Sequence, residues 1–232
     1  QGENALFENA KQILQLGSHP VLLCDDVVYQ IVGEKFNDYL TRYGFHVLHV
    51  AFNGEASDAE IDRVVALAEK DGADLVIGLG GGKTIDSAKA IADILGRPVV
   101  IAPTIASTDA PTSALSVIYT EDGAFEKYIF YSKNPELVLV DTKVIAGAPK
   151  RLLASGIADG LATWVEARAV QQKNGTTMLG QRQSLAGVAI AKKCEETLFA
   201  DGLQAIAACE AKVVTPALEN IIEANTLLSG VG

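Results

Sequence analysis

The sequence is poor in the residues that build disulfide frameworks and membrane spans. Its three cysteines, Cys24, Cys194 and Cys209, are too few and too scattered for a disulfide scaffold or a thiolate zinc site, so we expect free, mostly buried thiols. No apolar run approaches the roughly 18 residues that a membrane span needs. The first residues have neither the basic start nor the apolar centre of a signal peptide. A cytoplasmic protein without a membrane partner is expected.

Positive charge is also scarce. Lys and Arg number 19 against 29 Asp and Glu, which gives a formal net charge of -10. Binding to nucleic acid or to an anionic membrane surface requires clustered Lys and Arg, so neither partner is expected. A hydrophobic fraction of 49% with 21% charged residues is that of a soluble globular protein, and a small-molecule partner fits it better.

Methionine and histidine are rare as well. Met178 is the only methionine and the chain begins with Gln1, so the sequence is expected to be a fragment of a natural chain. His19 precedes a predicted strand, whereas His46 and His49 lie within one at an odd spacing that directs them to opposite faces. The histidines are interpreted as structural or surface residues and not as a chelating pair.

What the sequence does have is a regular alternation of strand and helix patterns from residue 20 to residue 103. Short apolar runs at 20–24, 45–52 and 99–102, with another leading into Gly78, predict four strands separated by amphipathic helices. Ser57 to Glu60 has the pattern of a helix capping box. Such alternation predicts a mainly parallel sheet with ligands at the carboxyl ends of its strands.

The pattern changes further along the chain. A hairpin is predicted from residue 116 to 131, followed by a strand at 137–140. Beyond Gly147 only helical patterns occur, at 152–170, 178–199 and 203–228. The predicted fold class is α/β, with an N-terminal Rossmann-like domain at 1–148 and an all-helical domain at 149–232 that is incomplete at its C-terminus.

The segment from Gly78 to Lys83 predicts a phosphate-binding turn. Glycines let backbone N–H groups approach a pyrophosphate, and the helix that follows adds the positive end of its macrodipole. The spacing excludes a P-loop, whose first glycine would have to stand at Ile77, and a standard dinucleotide motif, whose last glycine is replaced by Lys83. A tight turn without a ligand is the alternative, and the motif alone does not identify the nucleotide.

Two further segments carry candidate functional residues. The loop from Pro103 to Ser113 is rich in hydroxyls and contains Asp109, which suits a polyol or a ribose, although a turn-rich surface loop fits equally well. No Lys or Arg occurs between Arg97 and Lys127, so a neutral substrate is favoured. Asp159 lies in a nearly uncharged helical stretch, where either a metal ion or a helix-cap role would satisfy it.

These segments resemble the iron-containing, or dehydroquinate-synthase-like, polyol dehydrogenases, and the similarity runs from end to end. The matching segments are 80–84, 101–111, 114–120 and 159–168. The resemblance implies NAD-dependent oxidation of glycerol to dihydroxyacetone, one zinc ion per full-length subunit and a homo-oligomer. A related propanediol or butanediol dehydrogenase and a non-catalytic nucleotide-binding module are the alternatives.

The resemblance also assigns roles to residues. Asp109 and Asp159 would be catalytic, with Asp109 contacting glycerol and Asp159 binding zinc. The implied cofactor-binding residues are Asp25, Gly81, Gly82, Lys83, Asp86, Thr104, Ser107, Ser113, Leu115 and Tyr119. Asp25 would contact the adenosine ribose and repel a 2'-phosphate, favouring NAD over NADP. Two zinc-binding histidines are expected beyond the end of this chain, so the 232-residue chain alone is expected to be inactive.

Overall fold

A computed structural model describes residues 1–232, and their contacts divide the chain into two compact units. The first unit comprises Gln1–Thr104 and Ser113–Val144. The second comprises Ile105–Thr112 and Ile145–Gly232. The loop after the fourth strand therefore belongs to the second unit, although the chain on both sides of it belongs to the first. The single domain boundary near residue 148 stays a prediction.

The first unit is built on a five-stranded parallel sheet. Its strands are β1 (Pro20–Cys24), β2 (Leu48–Ala51), β3 (Leu75–Gly80), β4 (Val99–Pro103) and β7 (Leu137–Val138). They lie in the order β2-β1-β3-β4-β7. Every residue of β1, β3 and β4 is buried, as expected of strands that are covered on both faces. The α/β class with a parallel sheet is confirmed, and all four strands predicted before residue 103 are present.

Helices connect these strands. They are α1 (Ala10–Leu14), α2 (Asp26–Val28), α3 (Glu34–Arg42), α4 (Asp58–Asp71) and α5 (Gly82–Leu95), with a π-helical segment at Tyr29–Gly33. A short helix, α6 (Thr142–Ala146), follows the sheet. In α5 every residue from Thr84 to Ala92 is buried, which makes it the central helix of this unit.

The predicted hairpin forms a separate two-stranded antiparallel sheet. Its strands are β5 (Leu115–Tyr119) and β6 (Phe125–Phe130), with a register irregularity at Ile118/Tyr119. Buried and half-buried residues alternate along β5, while β6 is largely exposed. One face of β5 is thus packed inward against the rest of the unit.

Ser57 caps α4, but only half of the predicted capping box forms. The Ser57 hydroxyl accepts a hydrogen bond from the Glu60 N–H at 3.4 Å. The Glu60 carboxylate does not return to the Ser57 N–H, because it forms an ion pair with Arg63, at 2.6 Å. The Ser57 N–H donates instead to the carbonyl of Glu55. A nearby cation therefore overrides the reciprocal hydrogen bond of the motif.

The second unit is helical beyond residue 145. Its elements are α7 (Lys150–Gln172), α8 (Leu185–Glu210), α9 (Pro216–Glu223), a π-helical segment at Ala224–Leu228 and α10 (Ser229–Val231). The predicted interruption between residues 199 and 203 is wrong, because α8 continues through Gly202, which packs close to Ile157 of α7. The break comes later, where Lys212 has a φ of 56° and Thr215 caps α9.

Two expectations from composition can be compared with the structure. All three cysteines are free and buried, as expected. No helix combines the length and the apolar character needed to cross a bilayer, even though α8 has 26 residues.

Candidate functional site

The glycine turn lies between β3 and α5 at the carboxyl edge of the sheet. Gly81 is the N-cap residue of α5, with extended backbone angles, and no side chain caps the helix. The first-turn N–H groups of a helix have no partners within the helix, so here they remain open to an anion. A Cβ on Gly80 would lie 2.8 Å from the Thr84 hydroxyl oxygen, which explains the glycine. The turn has the geometry of a phosphate site.

The neighbouring strand ends place two more of the implied cofactor residues at this edge. Asp25 follows β1, which pairs with β3, and one of its carboxylate oxygens accepts a hydrogen bond from the Val28 N–H at 2.8 Å. Thr104 follows β4, on the other side of β3, and its N–H donates to the Gly80 carbonyl at 3.0 Å. Parallel strands thus bring Asp25, Gly81 and Thr104 to one edge, as the sequence predicted.

Lys83 lies in the first turn of α5, and Gly82 begins that helix. The Lys83 ammonium group is about half exposed and forms an ion pair with Glu55. An exposed pair of this kind contributes little stability, so the ammonium group is available to exchange its partner for a phosphate.

Asp86 is buried, and its carboxylate faces the hairpin instead of the turn. One of its oxygens lies 3.0 Å from the ammonium group of Lys89, and the other accepts from the Val117 N–H at 3.2 Å. The Ser116 hydroxyl donates to the Asp86 carbonyl at 2.8 Å. This geometry makes Asp86 a support for β5, and its implied role in binding the cofactor stays a prediction.

Lys89 is a residue of this site that sequence reasoning missed. It is 3% exposed, and its ammonium group donates to the Leu115 carbonyl and, at 3.4 Å, to the carbonyl and hydroxyl of Ser113. The resemblance assigns Ser113 and Leu115 to the nicotinamide end of the cofactor site. Both residues are therefore held in place by the buried ammonium group of Lys89. The third such residue, Tyr119, donates its N–H to the Ala56 carbonyl at 2.9 Å. A Lys three residues after Asp86, on an apolar helix, was the available signal.

Asp109 and Asp159 lie next to each other within the second unit. The Asp109 N–H donates to a carboxylate oxygen of Asp159 at 3.2 Å. Partial desolvation by neighbouring atoms raises the pKa of the Asp159 carboxyl group, the negative charge of Asp109 raises the pKa further, and the hydrogen bond from the Asp109 N–H lowers it. Two acids held this close favour a cation or a proton donor between them.

The loop that carries Ser107 and Asp109 is held by the π-helical segment. The Asn225 amide donates to the Ala106 carbonyl at 2.9 Å and to the Leu153 carbonyl at 3.3 Å. The Thr112 hydroxyl donates to the Thr226 carbonyl at 2.7 Å. Asn225 was missed by sequence reasoning, although an amide within an apolar helical stretch is a usable signal. Asp109 is thereby set on a fixed backbone beside α7, which carries Asp159.

Gly156 allows this close approach. A Cβ at residue 156 would lie 2.0 Å from the Ala106 carbonyl oxygen and 2.4 Å from the Asn225 amide nitrogen. The alternative expectation, a cap role for Asp159 after Ser155-Gly156, is wrong: both of these residues lie inside α7, so Asp159 caps no helix. Asp159 is left as a helix-borne carboxylate beside Asp109.

Asp159 is suited to be one metal ligand, but the residues around it do not supply the other ligands of a metal site. Zinc in a catalytic site takes three protein ligands from His, Cys, Asp or Glu. The three histidines of the chain are His19, His46 and His49, all in the first unit, and no set of three candidate ligands includes Asp159. Asp159 alone does not hold a zinc ion.

The implied site residues are divided between the two units. Ser107, Asp109 and Asp159 belong to the second. The first unit contains Asp25, Gly81, Gly82, Lys83, Asp86, Thr104, Ser113, Leu115 and Tyr119. The implied cofactor-binding residues thus all lie in the first unit, with the exception of Ser107.

The known proteins that this chain resembles include several glycerol dehydrogenases. The chain is 57% identical over 241 aligned residues to a glycerol dehydrogenase of Escherichia coli O6:H1, covering 100% of this chain and 65% of the relative. It is 47% identical over 232 residues to a glycerol dehydrogenase of Pseudomonas putida, covering 100% of this chain and 64% of the relative. The chain therefore spans less than two thirds of the length of these relatives.

A solved structure and a family profile agree with these relatives. The crystal structure of glycerol dehydrogenase from Schizosaccharomyces pombe matches with a TM-score of 0.94 at 45% identity, covering 100% of this chain and 59% of that one. The profile described as iron-containing alcohol dehydrogenase matches residues 1–142, which is more than half of the chain and includes β1 to β7. By sequence and by fold, this chain belongs to the iron-containing alcohol dehydrogenase family.

Proposed function

We propose that this chain carries the NAD-binding residues of an enzyme that oxidises glycerol to dihydroxyacetone. The observation that carries the proposal is the uncapped amino terminus of α5, which lies between the strand ends that carry Asp25 and Thr104. The names of the relatives at 57% and 47% identity support the substrate. Iron-containing alcohol dehydrogenases are oxidoreductases, so membership of this family supports the class of reaction.

NAD fits the first unit. Its pyrophosphate would accept hydrogen bonds from the first-turn N–H groups of α5, with Lys83 nearby. One oxygen of Asp25 caps α2, and the other is free to accept a hydrogen bond from a ribose hydroxyl. A carboxylate there would repel a 2'-phosphate, which favours NAD over NADP. Bound NAD supplies the hydride acceptor of the reaction.

The polyol would bind at the Asp109 loop. Asp109 offers a carboxylate to a substrate hydroxyl, and the neighbouring Ser107 and Thr108 offer hydroxyl groups that donate and accept. The loop contains no Lys or Arg that could bind a phosphorylated substrate. Hydroxyl recognition without a cation is the chemistry that a neutral polyol requires.

Asp159 is proposed as one ligand of a zinc ion. Its raised pKa and its position beside Asp109 are consistent with a carboxylate whose charge a bound cation would stabilise. Because no histidine lies in the second unit, the ligand set around Asp159 is incomplete in this chain, and we expect no turnover of glycerol by the 232-residue chain. A cytoplasmic location and a homo-oligomeric state also stay predictions.

The cofactor proposal is tested by titrating the 232-residue chain with NADH and with NADPH and measuring nucleotide fluorescence. We expect NADH to bind at least tenfold more tightly. Asp25→Asn keeps the helix cap and removes the charge, so the NADPH-to-NADH affinity ratio should rise by about tenfold. Asp62→Asn, which changes the same charge on the exposed face of α4, should leave the ratio within twofold. Equal effects of the two variants, or no saturable NADH binding, would contradict the proposal.

The reaction itself is tested on the longest natural form that contains this sequence, supplied with zinc. Glycerol-dependent formation of NADH that is lost in Asp109→Asn and Asp159→Asn supports the assignment. A protein that binds NADH but reduces no NAD with glycerol, propanediol or butanediol would instead be the non-catalytic nucleotide-binding module.

A further inference from the structure

Three potential metal ligands meet at the amino edge of the parallel sheet, the edge opposite the glycine turn. His19 immediately precedes β1, His46 lies two residues before β2, and Asp71 ends α4 shortly before β3. One ligand atom from each of these side chains lies within 4.8 Å of the others. Since β2, β1 and β3 are neighbours in the sheet, the topology itself brings the three segments together.

The side chains already contact one another. His19 Nε2 and Asp71 Oδ2 are 2.7 Å apart, and the rings of His19 and His46 meet edge to face with centroids 4.3 Å apart. His46 is exposed, while His19 and Asp71 are partly exposed, so water and ions reach the cluster. Since the candidate ligand atoms lie within 4.8 Å of one another, their separation is close to that of ligands that share one metal ion.

The backbone beneath the cluster is rigidly connected. The His46 N–H donates to the Ser18 carbonyl at 3.0 Å, and the Asp74 N–H donates to the His19 carbonyl at 3.0 Å. The Asp74 carboxylate in turn accepts from the N–H groups of Ser18 and His19, at 3.1 and 2.8 Å. A Cβ on Gly17 would lie 2.5 Å from this carboxylate, so glycine permits the contact. The segments that carry His19 and His46 are therefore joined before any metal binds, and the hydrogen bond between the His19 and Asp71 side chains holds Asp71 beside them.

We propose that His19, His46 and Asp71 form a zinc-binding site at the amino edge of the sheet. Two imidazoles and one carboxylate are a ligand set that suits zinc and its first-row neighbours and that suits magnesium and calcium poorly, since those ions prefer oxygen ligands. Zinc–ligand distances of about 2.0–2.1 Å place tetrahedral ligands about 3.3 Å apart. Water completes the coordination.

A metal ion here stabilises the first unit and takes no part in the proposed oxidation. It replaces the hydrogen bond between His19 and Asp71 and connects the segments that lead into β1, β2 and β3. The Asp159 carboxylate belongs to the second unit and shares no residue with this site. The inference is independent of the proposed function.

Zinc binding is tested on the metal-free 232-residue chain by calorimetric titration at pH 7.5, with Asp159→Asn as the background so that no carboxylate pair competes. We expect one zinc ion to bind with a micromolar Kd. His46→Gln and Asp71→Asn should each weaken binding by tenfold or more. Two variants are the matched controls. His49→Gln removes a histidine outside the cluster, and Glu69→Gln removes one negative charge from the exposed face of α4; the Kd for zinc should stay within twofold in both.

Nuclear magnetic resonance of the imidazole groups identifies the ligands without any substitution. The chain has three histidines, so three pairs of ring signals are expected. Zinc should shift the signals of His19 and His46 and leave those of His49, which stacks on Tyr29, in place. The melting temperature should rise with zinc in the unsubstituted chain and stay constant in His46→Gln. Unshifted His19 and His46 signals at saturating zinc, or equal binding by His46→Gln, would overturn the proposal.

Discussion

At the scale of single residues, Lys89 shows how a buried charge fixes a site segment. Its ammonium group contacts the Asp86 carboxylate and the backbone of Ser113 and Leu115, with almost no access to water. A buried ion pair is a weak source of stability as a pair, but removal of one partner leaves an uncompensated charge. The conformation of residues 113–117 therefore depends on both charges being present.

We expect Lys89→Met to lower the free energy of unfolding by about 3 kcal/mol, because Asp86 is left buried without its cation. Adding Asp86→Leu should recover part of the loss and not all of it, since the Val117 N–H then loses its acceptor. Lys133→Met is the control: it breaks the exposed pair with Glu136 and should change stability by less than about 1 kcal/mol. Urea unfolding followed by circular dichroism measures all of these variants. A Lys89→Met variant as stable as Lys133→Met would rule out the buried role.

Asp159 is expected to reduce stability at neutral pH. Its carboxyl pKa is raised in the folded state above the ordinary value of 3.8, so the folded chain binds the proton more tightly than the unfolded chain. Stability is therefore lost as pH rises from about 3.8 through the raised pKa. Asp159→Asn should increase the free energy of unfolding at pH 7, and the increase should shrink as pH falls toward 3.8. Lower stability of Asp159→Asn at pH 7 would show that a cation or hydrogen bonds outweigh the repulsion from Asp109.

At the scale of elements, two glycines within long helices have opposite meanings. In α7 a Cβ at Gly156 would nearly coincide with the Ala106 carbonyl oxygen, at 2.0 Å. In α8 a Cβ at Gly202 would meet only Ile157, at 3.7 Å, an ordinary contact. The first glycine is required by the close approach of the Asp109 loop, whereas the second has no such constraint.

The two alanine substitutions should therefore change stability in opposite directions. Gly156→Ala forces the loop or α7 to move and should cost about 1–3 kcal/mol. Gly202→Ala removes a poor helix former and should add about 0.5–1 kcal/mol. Thermal unfolding gives both values. A neutral Gly156→Ala variant would mean that the Asp109 loop does not pack closely against α7.

The elements also show what the sequence could and could not predict. Strands β1, β3 and β4 are continuous apolar runs between turn residues, so their prediction succeeded. The break predicted inside α8 failed because Asp201-Gly202 looks like a helix end, although packing against α7 outweighs the cost of one glycine. The prediction of a capping box was half right, because side-chain geometry decides whether the Glu60 carboxylate binds the Ser57 N–H or the Arg63 guanidinium group.

The candidate site was predictable where it depends on strand ends and unpredictable where it depends on tertiary contacts. The positions of Asp25, Gly81 and Thr104 follow from parallel topology alone. The inward direction of Asp86 and the proximity of Asp109 to Asp159 require knowledge of packing. His19, His46 and Asp71 also meet because of strand topology, since each precedes one of three adjacent strands. Their proximity could not be predicted from the sequence, because the order of the strands has to be known first.

At the scale of the whole molecule, the two units differ in how completely they bury apolar side chains. The first unit covers three strands of its sheet entirely. The long helices of the second leave Leu185, Phe199 and Leu203 exposed at 92%, 75% and 90%. Less apolar burial means less stabilisation, so the second unit is expected to open at lower denaturant concentrations.

The cysteines report on each unit separately, because Cys24 lies in the first unit and Cys194 and Cys209 lie in the second. Burial raises the pKa of Cys24 to about 12 and that of Cys194 to about 11, and it also raises that of Cys209, so none should react with a thiol reagent in the native state at pH 8. In increasing urea, a Cys24→Ala variant should be labelled at lower urea than a variant that keeps only Cys24. Labelling of both variants at the same urea concentration would mean that the units unfold together, and earlier labelling of Cys24 would reverse the expected order of stability.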